Sequence, residues 1–127
     1  MKDTPLHTML TLVEARKHGD IETALGCYED EASIVFGPGK IGVGQQALRD
    51  FIQFAMSLPV VFTTRDVIES DTIALHYSAW TSSSVDEAGQ AQELGGITTD
   101  VLRKQADGSW LIAIDNAWGV SVLEKTS

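Results

Sequence analysis

"GITTDVLRKQADGSWLIAIDNAWG", residues 96–119, decides the fold, because it reads as two alternating apolar segments joined by a tight turn. It also sets two carboxylates, Asp100 and Asp115, among apolar neighbours, and the length of the turn decides whether they share a face. A two-residue loop at Asp107–Gly108 would place Asp100 directly opposite Asp115, and like charges facing each other across two strands are destabilising. A three-residue loop, Ala106–Asp107–Gly108, makes a type I turn with Gly108 in the left-handed region, which suits "QADGS". Gln105 then faces Ser109, and Asp100 faces Ile114. A slip of one residue would reverse every side chain. This register therefore puts Asp100 and Leu102 on one face with Ile112, Ile114, Asn116 and Trp118. Asp115 goes to the other face with Thr99, Val101 and Ala113.

Working outward, the segments before the hairpin change period once. Leu6, Met9, Leu10 and Val13 repeat at helical spacing, with Thr4–Pro5 as the start and Gly19 as the stop. Asp20 can cap a second helix, "IETALGCYED". A strand, "ASIVFG", and a turn at Pro38–Gly39 follow. A third helix, "GQQALRDFIQFAMSL", aligns Leu48, Phe51, Ile52 and Ala55 and stops before Pro59. From there the period is two: "VVFTTRDVIES", "TIALHYSAWTSSS", "QELGGITTDVLRKQ" and "SWLIAIDNAWGV" read as four long strands. Helices first and a meander afterwards imply an α+β fold, a cone-shaped curved antiparallel sheet wrapped around three N-terminal helices. Three short helices cannot fill the concave side, so an internal cavity for a small apolar ligand is expected.

Bulk properties narrow the partners. The 127 residues suit one domain. Eighteen acidic against nine basic residues give a net charge of −9, a field that repels nucleic-acid backbones and anionic membrane surfaces. No apolar run approaches the roughly 20 residues of a membrane span. The segment "MKDTPLHTML" lacks the apolar stretch of a signal peptide, and the single cysteine, Cys27, fits a reducing compartment, so a cytoplasmic location is expected. Three scattered histidines and no paired CxxC give no expectation of a metal or cofactor. Cys27 reads as a buried inert thiol, Tyr28 as a core aromatic, and Arg65 and Arg103 as surface or interface charges.

The strand with "IALHYSAW" offers two rows, Leu75, Tyr77, Ala79 and His76, Ser78, Trp80, and composition leaves both open, the first being the more apolar. A resemblance bears on that choice. The order of "GDIETALGCYEDEASIVF", "IGVGQQALRDF" and "DVLRKQADGSWLIAIDNAWG" resembles the nuclear-transport-factor-2-like superfamily across essentially the whole chain. Within it, the chain is most similar to the SnoaL-like group related to polyketide cyclases and ketosteroid isomerase. The resemblance implies one such domain over residues 1–127, with His76, Ser78 and Trp80 facing the cavity. It puts Asp100 in the place of the isomerase's acidic hydrogen-bond donor, and Ile114, Asn116 and Trp118 in its apolar pocket. Two parts of the isomerase are absent. Phe36 stands where its carboxylate base belongs, and Leu12 where a tyrosine donor belongs, so steroid isomerisation by that mechanism is not expected. The Asp–Arg–Asp arrangement of the family's epoxide hydrolases is not visible either.

The resulting expectation is a small-molecule-binding domain. A small apolar, carbonyl-bearing ligand would lie between Trp80, Trp118 and Phe36, with Ile114, Asn116 and Ser78 nearby. The alternative is an isomerase or polyketide-cyclase-like enzyme in which Asp100, helped by His76, moves a proton or stabilises an enolate. Leu75, Tyr77 and Ala79, with Val101, Leu111 and Ala113, would form an apolar outer face suited to a homodimer.

Overall fold

The computed structural model describes residues 2–123 and contains three helices, six strands and a closing 3-10 turn. Helix α1 spans Pro5–Lys17, capped by the Thr4 hydroxyl, which accepts from the His7 amide at 3.1 Å. Its buried stripe is Pro5, Thr8, Met9, Leu12 and Ala15, whereas Leu6 and Leu10 are exposed. The stripe is rotated from the expected one because the buried Thr8 hydroxyl donates to the Trp110 carbonyl at 2.6 Å and so faces the sheet. Gly19, at φ 67°, turns the chain, and Asp20 caps α2, Ile21–Leu25, by accepting from the Thr23 amide and hydroxyl. Helix α3, Gln45–Met56, buries Leu48, Phe51, Ile52 and Ala55, the stripe its sequence dictates.

The strands are β1 (Tyr28–Gly37), β2 (Lys40–Val43), β3 (Val60–Ser70), β4 (Ile73–Val85), β5 (Ala91–Lys104) and β6 (Trp110–Asn116). They form one sheet in the order β2-β1-β6-β5-β4-β3. The sheet is mixed where an antiparallel one was expected, because β6 returns beside β1 and pairs with it in parallel. The same pairing corrects the second helix. It ends at Leu25, and Tyr28 already pairs with Ile112, so sheet formation overrides the local helical signal of "CYED". Strand β2 follows the turn expected at Pro38–Gly39 and was not itself expected; it pairs antiparallel with β1 at the sheet edge. The core lies between helices and sheet and includes Met9, Leu12, Ala24, Leu48 and Ile52 against Ile34, Leu102, Trp110 and Ile112. No helix among the described residues is long and apolar enough to cross a membrane.

The β5–β6 hairpin has the three-residue loop. Gln105 donates its amide to the Ser109 carbonyl at 2.7 Å, the Gly108 amide donates to the Gln105 carbonyl at 2.9 Å, and Gly108 sits at φ 89°. The pairs Leu102–Ile112, Arg103–Leu111 and Lys104–Trp110 hold the register that this loop dictates. One step further, Val101 pairs with Ile114, so Ala113 is an extra residue in β6, a β-bulge. The bulge reverses the facing of the rest of β6. Ile114 points to the exposed outer face and Asp115 turns inward, the opposite of the arrangement an unbroken ladder predicts.

Candidate functional site

The helices leave a cavity of about 80 Å³ against the concave sheet. Its walls are aliphatic and aromatic, with Leu12, Phe51, Phe62, Trp80 and Trp118 among them. Phe54 and Leu94 line it while half exposed, so they mark its mouth. The polar part of the lining is His76, Thr98, Asp100, Asp115, Arg16 and Arg65.

The cross-strand pair His76–Asp100 sets up the polar end. His76 Nδ1 lies 2.9 Å from Asp100 Oδ2, and Arg65 Nη1 lies 3.1 Å from His76 Nε2. A guanidinium only donates, so Nε2 must accept and the ring proton must sit on Nδ1, pointing at Asp100. Asp100 also accepts from the Thr98 hydroxyl at 2.6 Å and from the Asn116 amide at 3.1 Å. Three neighbours present a proton to this carboxylate, and with 3% exposure it needs them.

At Asp115 the ionised form is disfavoured. Burial pushes its pKa up to about 7, and the charge of Asp100 adds to the rise. The Tyr28 hydroxyl, which donates to Asp115 Oδ2 at 2.5 Å, and the charge of Arg16 oppose it. Tyr28 is raised well above its ordinary value, first by its own burial and then by the Asp115 charge, so it remains a donor. Two carboxylates with opposed roles thus meet at one end of an apolar cavity. Asp100 is an acceptor saturated by donors, and Asp115 is a group that titrates near neutrality.

The aromatic wall depends on a turn that follows β6. Trp80 donates Nε1–H to the Ala117 carbonyl at 2.7 Å and meets Trp118 edge-on, with ring centroids 5.8 Å apart. The Asn116 side chain accepts from the Trp118 and Gly119 amides and donates to Thr99 Oγ1 and the Gly119 carbonyl. Gly119 is required there: it has φ 54°, and a Cβ would sit 2.2 Å from the Ile97 carbonyl oxygen. The Trp118 Nε1–H, by contrast, is buried with no acceptor.

Of the eight residues expected to surround a ligand, four line this cavity: His76, Asp100, Trp80 and Trp118. The other four stand elsewhere. Ile114 faces outward because of the bulge, and the Asn116 side chain is consumed in holding the turn. Phe36 packs edge-on against Phe51 over the space that Gly42 leaves, outside the cavity. Ser78 is on the inward row but buried beneath the lining, its hydroxyl without a partner. Arg65 was expected as a surface or interface charge and instead lines the cavity, its guanidinium 5.6 Å from the centroid of Phe62. Asp115 and Tyr28 form a pair that no local pattern announces. Cys27 is buried, its thiol pushed up to about 11 by burial, as an inert core thiol should be. Among the described residues no cluster of His, Cys, Asp and Glu is arranged to hold a metal.

Comparison of the sequence with protein-family models and with curated proteins finds no match. Solved structures do match in shape. A candidate ketosteroid isomerase from Shewanella frigidimarina superposes with a TM-score of 0.75 at 19% identity, covering 86% of this chain and 90% of that one. A ketosteroid isomerase-like protein from Erwinia carotovora gives 0.70 at 23% identity, covering 86% and 88%. The chain has the nuclear-transport-factor-2-like fold. The association domain of CaMKII from C. elegans shares it as well, at 0.64 and 18% identity over 87% of this chain and 88% of that one. At these identities the nuclear-transport-factor-2-like likeness is one of architecture, which hosts many unrelated functions.

Proposed function

We propose that this chain is a small-molecule-binding domain whose cone holds a compact, mostly apolar molecule with an oxygen acceptor such as a carbonyl. The observation that carries the reading is an aromatic and aliphatic cavity, open at Phe54 and Leu94, with the Arg65 guanidinium in its lining as a donor for a ligand oxygen. The volume of about 80 Å³ is below the roughly 150 Å³ of a cavity that takes benzene. A ligand of one ring or a short chain, projecting past Phe54 and Leu94, therefore suits it. Titration with acetophenone, followed by the indole Nε1–H resonances, tests this: the Trp118 signal should move and saturate. An unmoved Trp118 signal at millimolar ketone would refute the reading.

A second reading, proton transfer as in an isomerase or cyclase, is favoured by Asp115, whose pKa near 7 suits a general base at neutral pH. In that reading Asp115 takes a proton from the carbon beside the ligand carbonyl and returns it, while His76 and Thr98 hold Asp100 in place. Incubation with acetophenone in D2O distinguishes the two. Exchange of the methyl protons that Asp115→Asn abolishes supports an enzyme, whereas binding without exchange leaves a binding domain.

The outer sheet face supports a homodimer. Leu75, Val101 and Ile114 are neighbours across three strands, Ala79 pairs with Ile97, and Leu75, Ile97 and Ile114 are exposed. Ala113, expected on that face, is the buried bulge residue, and Ile114 takes its place. An association domain among the structures of this fold is consistent with pairing through such a surface.

A further inference from the structure

We infer that the oxygen-bearing group of the ligand is a carboxylate, paired with the guanidinium of Arg65. This deepens the binding reading above and rests on it. Arg65 lies on β3 opposite Ser78 and turns into the cavity. Of its five N–H donors, one is accounted for, at His76 Nε2. No Asp or Glu among the described residues forms a salt bridge with it. Asp100 acts on Arg65 at a distance, but the His76 ring stands between them, and Asp100 is already served by His76, Thr98 and the Asn116 amide.

A partly buried cation beside aromatic rings is costly unless something of opposite charge completes it. One cationic fork beside an apolar space calls for a planar anion with two acceptor oxygens on an apolar body. A ketone would fill the walls and leave the charge of Arg65 as it is. Inorganic phosphate would meet the charge and leave the apolar walls unfilled.

The experiment compares acids with their own amides. Benzoate and phenylacetate, benzamide and phenylacetamide are titrated into the wild-type chain, Arg65→Gln and Trp118→Phe, with affinity read by calorimetry and by indole resonances. Each acid should bind the wild type about tenfold more tightly than its amide, the difference between a charge-assisted and a neutral hydrogen bond. Arg65→Gln should abolish that preference, weakening the acids about tenfold more than the amides. Trp118→Phe should weaken acids and amides alike, several-fold. Amides that bind the wild type as tightly as the acids would overturn the carboxylate assignment while leaving the apolar-cavity reading intact. A wild type that binds neither class overturns both, and the wild-type comparison needs no variant to fold.

Discussion

The two halves of the β5–β6 ladder carry opposite cargo. On the turn side of the bulge, Leu102 and Ile112 pair regularly, are fully buried and belong to the core. On the far side lie Asp100 and Asp115, also buried but carrying carboxyl groups, at the cavity. One extra residue, Ala113, separates the half that holds the fold together from the half that gives the cavity its chemistry. The difference teaches that a ladder can specify stability at one end while its other end carries a costly pair of carboxylates. That pair persists because Tyr28, Thr98, His76 and the Asn116 amide supply donors.

The largest effect should come from the core half. Leu102→Ala removes a fully buried side chain and should cost about 2–5 kcal/mol. Urea denaturation should give a similar loss at pH 5 and pH 8, since no titrating group is touched. A strongly pH-dependent loss would show that the two halves are coupled through the bulge.

The carboxylate half should answer to pH. Asp115 is raised from its ordinary value of 3.8 to about 7. Between those values the unfolded chain releases a proton that the folded chain keeps. Stability should therefore fall as pH rises from about 4 to about 7, and level off above. Asp115→Asn should flatten that slope and gain relative to the wild type at pH 8. An unchanged slope in denaturation midpoints from pH 4 to 8 would place the proton elsewhere.

Tyr28→Phe tests the support of that pair. Removing the hydroxyl should cost about 1–3 kcal/mol and raise the Asp115 pKa further, because this hydrogen bond favours the ionised carboxylate. Carboxyl carbon NMR should report the upward move; a fall would contradict the geometry. The smallest effect on folding should come from Ile114→Asp. This residue is 41% exposed on the outer face, so its substitution should change stability by within about 0.5 kcal/mol. Light scattering should nevertheless show a dimer becoming a monomer, and a wild-type monomer at micromolar concentration would remove the proposed pairing.

Local chemistry was legible wherever a few adjacent residues decide the outcome. Thr4–Pro5 and Asp20 cap their helices, Gly108 closes the three-residue loop, and α3 buries the face its period dictates. Each depends on interactions that span at most a turn or two, so the sequence alone carries them. His76, Trp80, Asp100 and Trp118 reach the cavity as the family resemblance implied. What only the tertiary structure decided lies beyond Ala113. Strand β6 must pair antiparallel with β5 and parallel with β1. The bulge that accompanies this double pairing falls on an alanine, which gives no local signal of strain or turning. It sent Asp115 inward to Tyr28 and Ile114 outward, and no inspection of alternation could reveal it. The inward turn of Arg65 was equally hidden, because a charged residue in a strand is read as exposed until the partner that accepts its hydrogen bond, here His76, is brought beside it. Side-chain identity set what chemistry was available, and register, a property of strands far apart in the chain, set which groups could meet.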